Sequence, residues 1–366
     1  MVNVKSRSNE LSRETYGFDA IRGVQAEREY YVAICPLKII PKLFIFNDYE
    51  IPANLRAQRT LREKRIPDIK NYILNNPKEY IFSSLAASVD GTMKFVPSAH
   101  LGPEGKLGRL YINMDSRLLI NDGQHRRKAI EEALKERPEL GHESISVVFF
   151  EDAGLKRSQQ MFADLNKNSQ KPPKSLNIVY DHRDQFSQFI VSMAMNMEMF
   201  NDRVELEKTT LSNRSSKFFT MNGIYDATKK LLGKTKIKRI TKDQGDMVKE
   251  FWETLAANIP EWQLLIQGKV APAELRQNFV HANTNCLNAF GVVGRVLIET
   301  YPDRWKDKMK LLRNIDWSRS NKQWEGRLLQ SGRMMRTVYG IELAANTILE
   351  QCKVKLTPER MEFEKK

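Results

Sequence analysis

Near residue 176 the sequence changes its periodicity, and that change limits the fold more than any single motif does. Before it, apolar runs of strand length such as SISVVFF (144–150) alternate with helix-like stretches. In one of these, Ile66, Ile69 and Ile73 stand at i, i+3 and i+7 among Arg and Lys, a single apolar stripe. Strands alternating with helices predict an α/β domain. Beyond the change strand signals fade and helical spacing dominates, and all five tryptophans (Trp252, Trp262, Trp305, Trp317, Trp324) follow. The expected organisation is a mobile polar arm over residues 1–25, an α/β domain over 26–176 and a mostly helical domain over 177–366. A chain of 366 residues gives each domain room for its own core. No internal repeat and no low-complexity tract interrupts the pattern.

Within the first half, residues 30–46 (YYVAICPLKIIPKLFIF) predict short strands with Pro36 and Pro41 at edges or turns. Residues 55–75 read as a helix. IFSSLAASV (81–89) reads as a strand closed by the Asp90-Gly91 turn. HLGPEGKLGRL (100–110) is rich in glycine and carries a lysine, but it lacks the GxxxxGK[ST] spacing, so a hairpin loop is expected. RLLIN (117–121) is the next strand. A helix then runs to about Arg137, stopped by Pro138, and a further helix is expected around 155–165.

Hydrophobic residues make up 41% and charged residues 28%, an ordinary globular composition that argues against wholesale disorder. The net charge of +14 is less ordinary and points to a polyanionic partner, double-stranded DNA first. The opening residues are polar throughout, and no apolar run approaches the ~20 residues that a membrane span requires. Cys35, Cys286 and Cys352 lie far apart and form no CxxC pair. A cytoplasmic protein with no membrane segment and no metal site is expected. His281 and Cys286 have no further ligand nearby in sequence, His142 and Glu143 are isolated, and neither a Ser-His-Asp order nor H-E-x-x-H is present.

NDGQHRRKAI (121–130) carries the densest chemistry. A strand ends at Asn121, Asp122-Gly123 turns the chain, and a helix begins near His125. Free N–H groups at a helix start favour an anion. Arg126 and Arg127 add charge, and a guanidinium grips phosphate through two parallel bonds. His125 donates from either ring nitrogen according to tautomer, and Gly123 permits positive φ or close approach of a ligand. Ala129, Ile130, Ala133 and Leu134 supply the buried face of the helix. A plainer reading is also open: Asp122 caps the helix, and the arginines pair with Glu131 and Glu132 on the surface.

DGQHR between a strand and a helix resembles the signature of the DGQHR-domain proteins, a group related to the ParB/sulfiredoxin fold. In that fold a G-x-H/R-R motif at a helix start binds nucleotide phosphates. AQRTLREKRIPDIKNYIL (57–74) is similar to the family's upstream Arg-rich helix, and MFADLNKNSQKPPKSL (161–176) to its downstream Asn-rich segment. CLNAFGVVGRVL (286–297) and QWEGRLLQSG (323–332) resemble one branch, DndB, the regulators associated with DNA phosphorothioation gene clusters. The resemblance implies a ParB-like first domain, a repressor's role in controlling DNA sulfur-modification genes, and the modification enzymes as candidate partners. It departs from sulfiredoxins in one respect. They place a cysteine beside the histidine, and Gln124 stands there instead, which removes the redox nucleophile and leaves fold without reaction.

The expected phosphate-binding set is Gly123, Gln124, His125, Arg126 and Arg127, with Asn166 and Asn168 from a stiff polar loop that reads equally well as a linker. Two basic clusters are candidates for DNA contact. KKLLGKTKIKRITK (229–242), including Lys234, Lys236, Lys238 and Arg239, carries seven basic residues and no acid. The early helix carries Arg56, Arg59, Arg62, Lys64 and Arg65, of which Arg59/Arg62 and Arg62/Arg65 share faces at i, i+3. Trp324, near Arg319, Lys322 and Arg327, is the one tryptophan whose neighbours suit stacking on a base. Three functions compete: a DNA-binding regulator; a nucleotide-hydrolysing or DNA-nicking enzyme that uses a nucleoside triphosphate with Mg²⁺ and Asp122, or Asp164, as base; and a scaffold for the modification enzymes. No helix-turn-helix spacing stands out, and a homo-oligomer is compatible with the sequence.

Overall fold

Residues 15–25 (TYGFDAIRGVQ) alternate, with Phe18 and Ala20 buried and Asp19 and Ile21 exposed, and form strand β1 (Thr15–Gln25) rather than part of an arm. Two inward apolar side chains at period 2 outweigh the polar residues between them. The computed structural model describes residues 15–44, 65–98, 105–151, 160–161, 163–165, 172–212, 214–235, 237, 239–335 and 337–365. The chain folds into two units, residues 1–170 and 171–366. No helix among the described residues is long and apolar enough to cross a membrane.

Unit 1 is mixed α/β. Its strands are β1, β2 (Arg28–Pro36), β3 (Leu85–Asp90), β4 (Met93–Pro97), β5 (Leu107–Asn113), β6 (Arg117–Asp122) and β7 (Ser144–Glu151), in one sheet of order β4-β5-β1-β2-β7-β3-β6. All neighbours are antiparallel except β3 and β7. β4 and β5 pair antiparallel, and residues 99–104, most of the expected hairpin loop between them, lie outside the described residues. The Asp90-Gly91 step does not reverse the chain. Instead, β3 and β4 follow one another as the first arm of a long hairpin, with β5 and β6 as the second, because Asp90 pairs with Arg117 and Met93 with Ile112. The hairpin bends at Gly91, where an added Cβ would lie 2.3 Å from Ser116 Oγ, so only glycine lets the two arms touch there. Its halves pair with different neighbours, β5 with β1 and β3 with β7, so the ladder returns upon itself.

Pro36 ends β2, and the expected strand after it is a short helix, α1 (Ile40–Leu43), because Pro41 falls in the first turn, where it lacks no needed N–H. Helices α2 (Ile66–Asn75) and α3 (Gln124–Glu136) pack along each other, tied by Lys70 Nζ to Glu136 Oε1 at 2.6 Å. Ala129, Ile130 and Ala133 of α3 are buried, with Leu134 packed against the same core. Residues 160–161 and 163–165 are helical; 152–159 and 55–64 lie outside the described residues.

Unit 2 is mainly helical: α4 (Lys174–Tyr180), α5 (Gln185–Asn196), α6 (Met221–Leu231), α7 (Lys242–Ala257), α8 (Pro260–Ile266), α9 (Pro272–Asn278), α10 (Thr284–Thr300), α11 (Trp305–Met309), α12 (Val338–Gln351) and α13 (Pro358–Lys365). Short strand pairs, Val204–Glu205 with Phe219–Thr220 and Leu329–Gln330 with Arg333–Met334, join them. Local chemistry sets several starts. Asp184, Thr220, Asn283 and Thr337 each accept a backbone N–H at the head of a helix, and Thr241 with Gln244 closes a capping box. The tryptophans are core. Trp324 is fully buried, stacks on Trp317 at 5.3 Å and donates Nε1 to Asp316 O at 3.0 Å, which removes it as a base-stacking platform.

Candidate phosphate-binding site

The turn before α3 rests on one glycine. Gly123 is the helix N-cap at φ +102° and ψ 14°, and a Cβ there would sit 2.3 Å from Leu85 Cδ2. The close approach of β3 and the left-handed backbone both require glycine. Gln124 then donates Nε2 to Ile120 O at 3.1 Å, folding the first helical residue back on the end of β6. Asn121, 1% exposed, donates to Ser88 Oγ at 2.5 Å and Met161 Sδ at 3.1 Å, which anchors the strand end inside the sheet.

Arg126 returns across this turn. Its Nη2 meets Asp122 Oδ2 at 2.6 Å, and its Nη1 donates to Ser84 O at 3.1 Å and to both the carbonyl and the hydroxyl of Ser83. The guanidinium therefore braces the segment entering β3, and only 14% of the side chain is exposed. Arg127 does not face the same way. It is buried, donates Nη2 to Pro41 O at 3.1 Å and pairs with Glu131 at 2.7 Å, so it locks α3 to α1. Burial is the main reason that its guanidinium lies below the usual range, with Glu131 opposing the shift. Of the plainer reading, one arginine–glutamate pair is present, Arg127 with Glu131, but it is buried instead of lying on the surface, and Asp122 pairs with Arg126 instead of capping the helix. His125 is half-buried on the same first turn and has interactions of its own.

The exposed edge of Arg126 forms one wall of a cavity of about 250 Å³, lined also by Arg65, Asp68, Ile69, Tyr72 and Phe82. Arg65 is the N-cap of α2, exposed, with Pro67 in the first turn of the helix behind it. Tyr72 and Phe82 meet edge to face with centroids 6.0 Å apart, and the Tyr72 hydroxyl accepts the Ile81 N–H at 3.0 Å. Two guanidinium groups beside an aromatic wall suit an anionic group joined to a planar ring.

This pocket brings together members of two of the expected groups, Arg65 from the early basic cluster and Arg126 from DGQHR. Arg59 and Arg62, like Asn166 and Asn168, lie outside the described residues. Tyr72, Phe82 and Asp68 were not singled out from the sequence. The available signal was the Ser83-Ser84 pair, which breaks the apolar run and holds Phe82 ahead of β3 instead of inside it. A larger cavity of about 860 Å³ lies at the β1–β2 turn, but Glu27, Glu29, Glu151 and Asp164 in its lining oppose an anion. Asp164 there accepts Gln160 Nε2 at 2.7 Å. In unit 2, Lys234 and Arg239 are exposed, Ile237 between them is buried, and Lys236 and Lys238 lie outside the described residues.

Fold and site define a mixed α/β unit that carries an arginine-lined pocket at a glycine-capped helix start, joined to a helical unit. The chain belongs to the DndB family, described as DNA-sulfur modification-associated, whose model matches residues 18–355. Membership ties the protein to DNA sulfur modification. A relative from Bacillus subtilis (strain 168), the SPbeta prophage-derived uncharacterized protein YopQ, is 23% identical over 315 residues, a match covering 79% of this chain and 66% of that protein. The chain thus spans just under two thirds of that relative's length. No solved structure gives a significant match.

Proposed function

We propose that the protein is a DNA-binding regulator, a repressor of DNA phosphorothioation genes, with a ParB-like first unit whose pocket senses a phosphate-bearing ligand. The observation that carries the reading is the convergence of Arg65 and Arg126 on a cavity walled by Tyr72 and Phe82. The net charge of +14 supports DNA as the macromolecular partner.

A nucleoside phosphate matches the lining by chemistry: phosphate against the two arginines, ring against the aromatic wall. The cavity of about 250 Å³ is smaller than the ~300 Å³ at which small-molecule pockets usually begin. It takes a phosphate group and one ring and does not enclose a whole triphosphate. Asp68 is the carboxylate on its wall and the residue that would face a magnesium ion accompanying such a ligand, whose charge would neutralise phosphate. The enzymatic alternative draws less support from the geometry. Asp122, its candidate base, is committed to Arg126 at 2.6 Å within the turn, and Asp164 lines the other cavity. Association with the modification enzymes is compatible with the regulatory reading and follows from the family alone.

Calorimetry with ADP, ATP and pyrophosphate, with and without promoter DNA, tests the proposal. Arg65→Ala removes one charge-assisted contact of about 1.5–3 kcal/mol and should weaken the nucleotide by roughly ten- to a hundredfold. Unchanged affinity in Arg65→Ala, or no binding of any of the three by the parent protein, overturns the pocket assignment. Promoter binding that never occurs overturns the regulator.

A further inference from the structure

We propose that unit 2 docks on the phosphate backbone of duplex DNA through the surface where α6 ends against α10, with Lys229, Lys230, Lys234 and Arg295 gripping the phosphates. The inference rests on the DNA-binding reading and gives it a location. Two glycines build this surface. A Cβ at Gly291 would lie 2.1 Å from Ala227 O, and one at Gly294 would lie 2.3 Å from Phe251 Cε2 and 2.7 Å from Leu231 Cδ1. Helix α10 therefore runs against the backbone of α6, closer than any side chain at those two positions would permit. The next residue, Arg295, emerges exposed at the edge of the crossing.

Helix α6 stops so that its own cations meet that arginine. Gly233 adopts φ +64°, its N–H bonds to Lys230 O at 3.1 Å, and the N–H of Lys234 bonds to Lys229 O at 3.2 Å. This left-handed closure leaves Lys234 exposed and brings Arg295 against the preceding Gly233, where its Cδ and Nη1 would lie 3.0 and 3.3 Å from an added Cβ. A side chain there would both strain the turn and displace the arginine.

The charges are out of balance. Lys229 sits 5.7 Å from the Tyr225 ring centroid, Lys230 is 4.0 Å from Glu342, and Arg295 Nε is 3.5 Å from Glu299. Arg360 lies behind them, drawn below the usual guanidinium range by burial first and by the like charge of Arg295 as well, against the pull of Glu342. Lys230 and Arg360 share Glu342, Arg295 has Glu299, and Asp226 at the Tyr225 end is taken by Lys174, so that among the described residues Lys229 and Lys234 are the cations here without an ion pair. Lys229 and Lys230 have an internal reason to be there, since they complement the negative end of α6. Lys234 lies past the last turn of that helix, and Arg295 stands on another, where its one ion-pair partner among the described residues is the exposed Glu299. Crowded like charges are relieved by an anion, and an open ridge of point charges fits successive phosphates better than it fits one enclosed ligand.

The test is fluorescence anisotropy with a labelled 30-bp duplex of promoter sequence and a scrambled duplex, over a salt series. Lys234→Ala/Arg295→Ala should lower the magnitude of the log K against log[salt] slope by about 1.8, close to 0.9 for each phosphate that is no longer neutralised. It should weaken both duplexes by the same factor, roughly ten- to a hundredfold at low salt. Lys306→Ala/Lys310→Ala, an equal loss of charge at residues paired with Glu250 and Asp307, is the control and should change the slope little. Circular dichroism and tryptophan fluorescence establish that each variant is folded, and Arg295→Lys should keep most of the slope. If the parent binds duplex and the double variant matches the control, this surface is wrong while the DNA-binding reading stands. If the parent binds no duplex, both fall. Tighter binding of single-stranded RNA with the same loss in the double variant overturns the duplex assignment.

Discussion

Replacing Gly123 with alanine adds a single carbon at the point where β6, α3 and β3 meet. Two costs follow. The residue holds φ +102°, and a left-handed backbone costs an L residue with a Cβ about 1–2 kcal/mol. The new Cβ would also sit 2.3 Å from Leu85 Cδ2, and Leu85 is fully buried, so the methyl cannot swing out to solvent. Overpacking of that kind typically costs ~1–3 kcal/mol, giving roughly 2–5 kcal/mol together. Hydrogen exchange followed by mass spectrometry on peptides covering 117–136 is the assay. The loss should speed exchange about thirtyfold at the low end and a few thousandfold at the high end. Gly123→Asn should fare better on the backbone count alone, because asparagine tolerates the left-handed region. Leu85→Ala combined with Gly123→Ala should be less destabilising than the two single changes added, since the clashing atom is gone. A Gly123→Ala protein whose exchange stays within ~0.5 kcal/mol of the parent, the range of an ordinary surface change, would refute the steric argument.

Burial pushes the His281 imidazole below its usual range, in opposition to Glu261 3.4 Å from Nε2, while Trp262 donates Nε1 to Nδ1 at 3.0 Å. With a depressed folded value, the unfolded chain takes up the proton first, so stability present above the ordinary histidine value of about 6.5 is lost as pH falls through the folded one. Urea midpoints by tryptophan fluorescence should drop between pH 7 and pH 5 by less in His281→Gln than in the parent, and an equal drop would exclude this residue as the cause. All three cysteines are buried, with Cys35 and Cys352 pushed up to about 12 by desolvation, so a thiol reagent should label the folded protein slowly and the unfolded protein at three sites. Rapid labelling of the native chain would contradict the packing. Arg327 holds α13 through a two-pronged pair with Glu364 at 2.9 and 2.8 Å, so Arg327→Ala should expose Arg360 to trypsin early, and an unchanged digestion pattern would count against that latch.

The strand RLLIN, the alternation of SISVVFF, the stop at Pro138 and the buried stripe of α3 were legible because each is a local preference that the surroundings reinforce. Other segments were decided by competition. Pro41 suits a helix start as well as a strand edge, and the apolar residues around it do not discriminate between the two. IFSSLAASV has the composition of one strand, yet Arg126 claims Ser83 and Ser84, and the strand begins only at Leu85. Trp324 looked available beside its basic neighbours because sequence shows proximity along the chain and not depth. Stacking on Trp317 buries it completely.

DGQHR shows where local information ends. From the residues alone, a turn, a helix start, a glycine able to hold positive φ and a concentration of positive charge all follow, since each depends on chemistry within a few residues. Which way the two arginines point does not follow. They are adjacent, so a helix sends them about 100° apart, and tertiary contacts decide what each one meets. Arg126 finds Asp122 and the serines ahead of β3 and reaches the pocket with Arg65, which comes from a helix more than fifty residues earlier in the chain. Arg127 finds Pro41 and Glu131 and becomes part of the core. The same division holds in unit 2. The basic run at 229–242 is visible in the sequence, but its meeting with Arg295 depends on two glycines whose purpose appears only when α10 lies against α6, because close approach of backbones is a property of pairs of helices and not of either one.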